Sequence, residues 1–314
     1  MPYHHIPVMT REVVHYLNCE SGKIYVDCTL GGSGHSMAIL NRILPNGVLI
    51  GIDQDKDAIR NANTVLMPYT SNIHLFHDNF INLAEILSSL NISSVNGILL
   101  DLGVSLHQIE SSGRGFSFTR DEPLDMRMNP ESGTTAENLI NRLEEKALSK
   151  LLKDYGEEPR ARQIARGIVK KRKQGAIKSS RQLAQVVIDT LPKRSSSRQK
   201  RIHPATRVFM ALRIAVNKEL DCLAAFMENA VTFLKTGGRL CVISFHSLED
   251  RIVKHRIKAF EKACVCPPDF PKCICDKKRT GRSLTKKIIR PTAKEIERNP
   301  MARSARLRVL EKIA

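Results

Sequence analysis

Acidic residues follow four apolar segments in the first third of the chain, and a glycine-rich turn comes after the first of them. The acids are Asp27, Asp53, Asp78 and Asp101, and the turn is Gly31-Gly32-Ser33-Gly34. Glycines in such a turn let a ligand approach the backbone closely. If the segments are parallel strands, their carboxyl ends meet at one sheet edge, where ligands of α/β proteins bind. The pattern therefore predicts a nucleoside site.

The turn departs from the two common phosphate-binding sequences. Met37 stands where a dinucleotide fingerprint needs a third small residue, and no Walker lysine follows the glycines. Asp53 lies 22 residues after Gly31, close to the spacing of about 20 at which a carboxylate reaches ribose hydroxyls. Its alternative role, capping the next helix, could fall to Asp55 or Asp57. A nucleoside ligand without pyrophosphate remains, and S-adenosylmethionine is the obvious candidate.

Strand and helix patterns alternate along the region that carries these acids. β-branched and aromatic runs predict strands, and the periodic segments between them predict helices. Such alternation predicts an α/β fold with a doubly wound, mostly parallel sheet. Phe80, after the third strand, could pack in the core or lie against an adenine. The predicted strands are 24–29, 48–53, 73–76, 97–101 and 239–245, and the predicted helices are 35–44, 56–66 and 81–90.

The chain between the fourth and fifth strands breaks this alternation, which predicts a helical insertion into the α/β domain. An irregular loop at 107–133 leads to a helix that Thr134 and Glu137 open with capping-box spacing. Helical patterns then continue to about 190. The other predicted features are breaks at Gly156 and Gly175, a basic loop at 192–204 and a long helix at 205–234.

Positive charge is concentrated in two segments. The chain carries 50 Lys and Arg against 32 Asp and Glu. Residues 151–214 hold 17 basic and 4 acidic side chains, and residues 251–314 hold 19 basic and 6 acidic side chains. An acidic body with two basic segments is typical of a polyanion binder, so we expect a nucleic-acid partner. The alternative is a basic surface that only maintains solubility. Aromatic residues make up 5% of the chain, which disfavours a single-strand binder built on stacking platforms.

Four of the eight cysteines are crowded near the C-terminus. Cys264, Cys266, Cys273 and Cys275 form two C-x-C pairs that could hold one tetrahedral zinc ion, although this spacing is tighter than usual. The alternative is a set of four reduced surface thiols.

Composition also bears on the compartment. No apolar run is long enough to span a membrane, and the N-terminus lacks the basic and apolar regions of a secretory signal. We therefore expect a cytoplasmic protein with no membrane partner.

Six motifs together resemble those of the bacterial ribosomal RNA small subunit methyltransferase H family, and the likeness runs from His5 to about Arg308. The motifs are GGSGHS from Gly31, GILLDLGVS from Gly97, RGFSF from Arg114, PLDMRM from Pro123, HPATR from His203 and ISFHSLEDR from Ile243. The resemblance implies methyl transfer from S-adenosylmethionine to N4 of cytosine 1402 in 16S rRNA, in the decoding centre. The implied substrate is this rRNA within the small ribosomal subunit or its precursor.

The same resemblance implies an architecture and a set of cofactor contacts. A Rossmann-like class I methyltransferase domain would occupy 1–106 and 214–314, with a basic, cysteine-containing end, and an inserted helical substrate-recognition domain would occupy 107–213. Leu106-His107 departs from the Ser-Pro that relatives often carry before the glutamine at 108. The implied cofactor contacts are Ser33, Gly34, His35, Asp53, Phe80, Asp101 and Gln108.

The acceptor amine sets the catalytic requirement. N4 of cytosine is a poor nucleophile because its lone pair is delocalised into the ring, so an enzyme must orient it and offer its hydrogens a polar acceptor. Asp101, Ser105, Asp125 and His246 are candidates, although Asp125 could instead pair with Arg127 and His246 could anchor its loop. Two other functions stay open: a non-catalytic RNA-binding assembly factor that keeps the fold, and a methyltransferase for DNA or protein.

Overall fold

The computed structural model describes residues 6–191, 203–264, 266, 274–275 and 277–313. These residues divide into two units. One unit comprises Ser105–Glu219, which we call the helical unit. The other comprises the chain up to Val104 and from Leu220 onward, which we call the sheet unit.

Seven strands in one sheet form the centre of the sheet unit. Their order is β3-β2-β1-β4-β5-β7-β6. Strands β1 to β5 pair in parallel, whereas β7 is antiparallel to both β5 and β6. This arrangement confirms the predicted α/β fold with a doubly wound, mostly parallel sheet. The strands are β1 (Ile24–Asp27), β2 (Val48–Asp53), β3 (Ile73–His77), β4 (Val95–Asp101), β5 (Leu234–Ser244), β6 (Gly281–Ser283) and β7 (Arg306–Lys312).

Helices cover both faces of this sheet, which explains why the central strands are apolar almost throughout. In β4, Gly97 is required because a Cβ there would lie 2.7 Å from the ring of Tyr25 on β1. The helices of the sheet unit are α1 (Thr10–Leu17), α2 (Gly34–Ile43), α3 (Lys56–Val65), α4 (Leu83–Ser89), α11 (Glu219–Asn229, whose first residue belongs to the helical unit), α12 (Ser247–Glu261) and α13 (Ala293–Arg298).

The helical unit has an apolar core of its own. Helix α8 shows how it forms: Ala161, Ile164, Ala165 and Ile168 recur at helical spacing and are buried. At the end of α7, a Cβ on Gly156 would lie 2.7 Å from the carbonyl oxygen of Arg207, so only glycine allows this packing. The helices of this unit are α5 (Leu106–Glu110), α6 (Ala136–Arg142), α7 (Glu145–Gly156), α8 (Ala161–Arg172), α9 (Ser180–Thr190) and α10 (Thr206–Asn217).

Three sequence predictions about these elements were wrong. The long helix at 205–234 is two helices, because Lys218 adopts a left-handed conformation (φ 50°) between α10 and α11. Helix α6 begins one residue later than expected, since the Thr135 side chain, not that of Thr134, accepts the Asn138 N–H. Strands β6 and β7 were missed, and the second of these is the antiparallel strand that extends the sheet beyond β5.

None of the helices in the described part of the chain is both long and apolar enough to cross a membrane.

Candidate functional site

Three neighbouring strands end in an aspartate at the carboxyl edge of the sheet. Asp53 ends β2, Asp27 ends β1 and Asp101 ends β4, and these strands are adjacent in the order β2-β1-β4. The sequence predicted this alignment of acids. We call this group, with the turn that follows β1, the strand-end site.

The glycine turn after β1 has an unusual backbone. Gly31 and Ser33 both have positive φ, 46° and 64°, and Ser33 occupies the N-cap of α2 without a side-chain capping bond. For a residue other than glycine such a conformation is uncommon, and it is often found at functional sites. Gly34 is required for packing within the protein, since a Cβ there would lie 2.7 Å from Pro7.

Asp27 is buried and anchors both the turn and α2. The Ser36 hydroxyl donates to its Oδ2 at 2.6 Å, and the Thr29 N–H lies 3.2 Å from its Oδ1. Burial raises the pKa of Asp27 to about 6, although the Ser36 and Thr29 hydrogen bonds and the His35 charge oppose this shift. Asp27 is thus a structural carboxylate of the strand-end site.

His35 and Asp101 lie together behind the turn. Nε2 of His35 is 3.4 Å from Oδ2 of Asp101, and their side chains are 5% and 14% exposed. Burial alone would lower the pKa of His35, but the hydrogen bond and charge of Asp101, with Asp27 and Glu295, raise it. The Thr29 hydroxyl lies 2.8 Å from the Asp101 backbone N–H, which fixes the end of β4.

Several buried polar atoms of this site have no aligned hydrogen-bond partner among the described residues. They are Oγ of Ser33, Oδ1 of Asp101 and both ring nitrogens of His35. Buried polar atoms in folded proteins are nearly always hydrogen-bonded, so each such atom calls for an explanation. A polar ligand at the carboxyl edge of the sheet would supply the missing partners, which is the fit expected of a nucleoside-containing cofactor.

Asp53 does more than the sequence suggested. Asp55 caps α3, as one of the two alternatives predicted, by accepting the Asp57 N–H. Asp53 nevertheless accepts the Gly31 N–H on Oδ2 at 2.9 Å and the Asp55 N–H on Oδ1 at 2.8 Å. Burial raises its pKa to about 7 despite these bonds. Asp53 therefore joins the ends of two loops, and each oxygen keeps acceptor capacity for another donor.

Phe80 belongs to the apolar core of the sheet unit. It is 9% exposed, and its ring meets that of Phe226 edge to face at a centroid distance of 5.5 Å. Core packing, one of the two roles considered from the sequence, is therefore shown. Contact with an adenine stays a prediction.

Gln108 and Ser105 form a capping box at the start of α5. The Ser105 N–H donates to Oε1 of Gln108 at 2.9 Å, and the Gln108 N–H lies 3.2 Å from Oγ of Ser105. Gln108 is buried. This pairing fixes the side-chain orientation of the glutamine that the resemblance assigns to the cofactor, an assignment that stays a prediction.

The two other catalytic candidates are engaged in structural bonds. In the helical unit, Arg127 forms a bidentate pair with Asp125 at 2.7 and 2.8 Å. Burial of Asp125 would raise its pKa, but the hydrogen bonds and charge of Arg127 lower it below the ordinary value. In the sheet unit, His246 is the N-cap of α12, and its Nε2 lies 3.0 Å from Oε1 of Glu249.

Three of the sequence motifs in the helical unit contact one another. The Arg114 guanidinium donates to the carbonyl oxygens of Arg127 and Met128 at 3.0 and 2.8 Å, which joins RGFSF to PLDMRM. Phe118 stacks on His203 at 4.3 Å, which joins RGFSF to HPATR. These contacts give the motifs a structural role within this unit.

A basic groove lies between α8 and α9 in the helical unit. It encloses about 870 Å³ and is lined by three cations, Arg166, Lys170 and Lys171, and one acid, Asp189. The remaining polar lining is rich in amides, with Gln163, Gln174, Gln182 and Gln185. The basic loop predicted at 192–204 lies largely outside the described residues, including Arg198 and Arg201.

The cysteine motif is brought together only in part by the described residues. Sγ atoms of Cys264, Cys266 and Cys275 lie within 4.8 Å of one another. Cys273, the fourth predicted ligand, lies outside the described residues.

Sequence reasoning missed two residues that build the strand-end site. Thr29 and Ser36 fix the end of β4 and the first turn of α2. Asp27 was predicted as a strand-end acid, and its structural role, accepting from Ser36 and Thr29, was not. Hydroxyl partners such as Thr29 and Ser36 carry no comparable pattern.

Comparisons with known proteins bear on the chemistry of this site. The family model described as the MraW methylase family matches residues 2–313. Ribosomal RNA small subunit methyltransferase H of Desulforapulum autotrophicum is 55% identical over 309 residues, 98% of this chain and 99% of that protein. The protein of the same name from Desulfosudis oleivorans is 51% identical over 313 residues, 100% of both chains. A solved rRNA methylase from Streptococcus thermophilus covers 97% of this chain and 94% of its own at 12% identity, but its TM-score of 0.38 is too low to support an inference.

Proposed function

The chain belongs to the MraW methylase family, and from this premise we propose that it transfers a methyl group from S-adenosylmethionine to N4 of cytosine 1402 in 16S rRNA. The substrate would be the small ribosomal subunit or its precursor, in the cytoplasm. The observation that carries the proposal is the strand-end site, where Oγ of Ser33, Nδ1 of His35 and Oδ1 of Asp101 are buried with no hydrogen-bond partner among the described residues. These atoms lie where α/β folds bind nucleoside ligands.

The residues proposed to hold the cofactor fall into two groups. Ser33, Gly34 and His35 would contact it from the turn and the first turn of α2, and Asp53 and Asp101 from the ends of β2 and β4. Phe80 and Gln108 complete the proposed set. S-adenosylmethionine, when bound, supplies an electrophilic methyl group on a sulfonium sulfur.

Asp101 is our candidate for the proton acceptor. The amine lone pair forms the new nitrogen–carbon bond while the methyl carbon leaves sulfur, and the amine then loses a proton. Oδ1 of Asp101 is buried and has no donor in the described part of the chain, whereas both oxygens of Asp125 accept from Arg127. His35 would orient Asp101 through Oδ2. A hydrogen bond from the amine to Asp101 orients the amine so that its lone pair points at the methyl carbon.

Three cysteines within the sheet and beside it, Cys19, Cys28 and Cys241, argue against methylation at carbon 5 and so favour attack by nitrogen. That reaction needs a thiolate that adds to carbon 6 of the base. Burial raises the pKa of Cys19 to about 12 and that of Cys28 and Cys241 well above the ordinary value. Thiols with such pKa values stay protonated at neutral pH and are poor nucleophiles.

The basic groove of the helical unit is our proposed contact for the RNA backbone. Arg162, Arg166 and Lys170 recur every four residues along α8, so they share one exposed face, opposite the buried one. Cations at this spacing with neighbouring amides suit phosphate and sugar oxygens, which position an RNA without reading its sequence. The helical unit would thus hold the rRNA, while the target cytosine leaves its stack to reach the methyl donor.

Nucleoside analysis tests the proposal. Small subunits lacking the modification are incubated with the protein and methyl-labelled S-adenosylmethionine, and the rRNA is digested to nucleosides. We expect label in N4-methylcytidine from position 1402. Label in 5-methylcytidine, in DNA or in ribosomal proteins would contradict it, and cofactor binding without transfer would favour the non-catalytic assembly factor.

A further inference from the structure

Three cysteine side chains meet beyond the end of α12, far along the sequence from the residues of the strand-end site. The Sγ atoms of Cys264, Cys266 and Cys275 all lie within 4.8 Å of one another, and those of Cys264 and Cys275 are 3.7 Å apart. The Cys266 backbone N–H lies 3.4 Å from the Cys264 sulfur. Three sulfurs at such distances form a cluster that methyl transfer does not use.

The sulfur separation distinguishes a metal site from a disulfide. Zinc–sulfur bonds are about 2.3 Å long, so two thiolates on a tetrahedral zinc lie about 3.8 Å apart. Sulfurs in a disulfide are about 2.05 Å apart. The 3.7 Å between Cys264 and Cys275 matches the first value. We propose that Cys264, Cys266 and Cys275 bind one structural Zn²⁺ ion.

The surrounding chain shows what such an ion would stabilise. Residues 277–283 lie beside the end of α12. The Thr280 N–H donates to the Phe260 carbonyl at 3.1 Å, and Lys277 Nζ donates to the Ala259 carbonyl at 2.8 Å. The Ser283 N–H donates to Oε1 of Glu261 at 2.8 Å, where β6 ends. A zinc ion would link Cys275, just before this stretch, to Cys264 and Cys266, just after α12.

Chemistry and charge both suit zinc. Thiolates are soft ligands that select zinc over magnesium or calcium. Lys262, Lys277, Lys278 and Arg279 flank the cysteines and would offset the negative charge of a zinc–thiolate group. Cys264 is exposed, so a metal ion can reach the sulfurs from solvent. Cys273 is the fourth cysteine of the motif, and the proposal is argued from the other three.

The site would order a basic segment. By linking Cys275 to Cys264 and Cys266, zinc would hold Lys277, Lys278 and Arg279 beside the end of α12. This role is independent of methyl transfer, so the zinc proposal and the proposed function can fail separately.

Metal analysis of the full chain tests the site. Protein expressed with added zinc and passed through a desalting column should carry about one zinc per chain. Replacement by Co²⁺ should give the intense sulfur-to-metal absorption of a tetrahedral thiolate complex. The variants Cys264→Ser and Cys275→Ser should each bind zinc about tenfold more weakly or worse, and trypsin should cut them within 262–280 faster than wild type.

Cys19→Ser is the matched control, since it removes a cysteine of the same unit outside the cluster and should keep full zinc. Binding of S-adenosylmethionine verifies that each variant is folded. Equal zinc in Cys264→Ser, Cys275→Ser and wild type would overturn the proposal. So would zinc-free wild-type protein, or an intact mass two hydrogens short that reports a Cys264–Cys275 disulfide.

Discussion

The strand-end site and the basic groove are suited to polar ligands in opposite ways. At the strand-end site, backbone and hydroxyl donors hold the carboxylates of Asp27 and Asp53, and burial raises the pKa of Asp27 to about 6 and that of Asp53 to about 7. In the basic groove, Lys170 and Lys171 are exposed on α8.

The difference predicts two kinds of energetics. A buried, preorganised carboxylate contributes strongly to the binding free energy of a ligand that fits its geometry. Exposed charges each add a small contribution, which salt screens. Substitutions at the strand-end site should therefore have large, salt-independent effects. Substitutions in the basic groove should have small effects that fade as salt is raised.

The largest effect is expected for Asp101→Asn. This change keeps the shape of the side chain but replaces one acceptor oxygen with a donor, so the amine proton loses its proposed acceptor. We expect the single-turnover rate of methyl transfer at saturating S-adenosylmethionine to fall about 10²- to 10³-fold, the usual contribution of a positioned acid–base group.

Asp57→Asn is the control for Asp101→Asn, because it removes a partly exposed carboxylate of the same unit whose side chain contacts Arg60. Its rate should stay near that of wild type. An Asp101→Asn rate within threefold of wild type would show that the acceptor is elsewhere, and would break the distinction drawn between the two regions.

The two regions also differ in how far the sequence predicts them. The positions of Asp53 and Asp101 can be predicted because a buried parallel strand appears in the sequence as a short apolar run, and the first polar residue after the run marks the strand end. Their partners cannot be predicted in this way. The Gly31 N–H meets the Asp53 carboxylate, and the Thr29 hydroxyl meets the Asp101 backbone N–H, only because the tertiary fold brings them together. Binding roles carried over by resemblance, such as those of Phe80 and Gln108, stay predictions.

In the helical unit, the sequence predicted a basic insertion but missed the end of its last helix, α10. Lys218 ends α10 in a left-handed conformation, and no glycine or proline lies next to it in the sequence to predict this end. Arg172, one of the cations of the basic segment 151–214, donates to the Ile140 carbonyl at 2.6 Å. Charge patterns predict which face binds a polyanion, whereas single contacts of long side chains depend on packing.

The second effect in size concerns Asp53 and the pH dependence of cofactor binding. Because its pKa is about 7 in the ligand-free protein, and because the carboxylate is the better acceptor for ribose hydroxyls, binding should release a proton. Affinity for S-adenosylmethionine should therefore weaken as pH falls below about 7 and level off above it. Asp53→Asn should lose about 1.5–3 kcal/mol of binding free energy at pH 8 and flatten this profile, as measured by calorimetry.

Ser33→Ala separates cofactor contact from loop structure, since Asp53 also holds Gly31 and Asp55. Oγ of Ser33 has no partner among the described residues, so its removal should leave thermal stability unchanged and weaken the cofactor by about 0.5–1.5 kcal/mol. Unchanged affinity for S-adenosylmethionine in both Asp53→Asn and Ser33→Ala would show that the cofactor does not bind at this edge of the sheet.

The smallest effect is expected in the basic groove. Replacing Lys170 and Lys171 with glutamine removes two exposed positive charges and keeps the length of the stems. Each phosphate contact contributes about 0.7–0.9 to the slope of log affinity against log salt, so the pair should lower the slope for rRNA by about 1.5. Binding of rRNA at low salt should weaken slightly, with cofactor affinity unchanged. The matched control is Lys146→Gln with Lys153→Gln, two exposed lysines on α7 outside the groove. If both pairs lower the slope equally, the helical unit binds RNA through its total charge, and the groove has no special place in the complex.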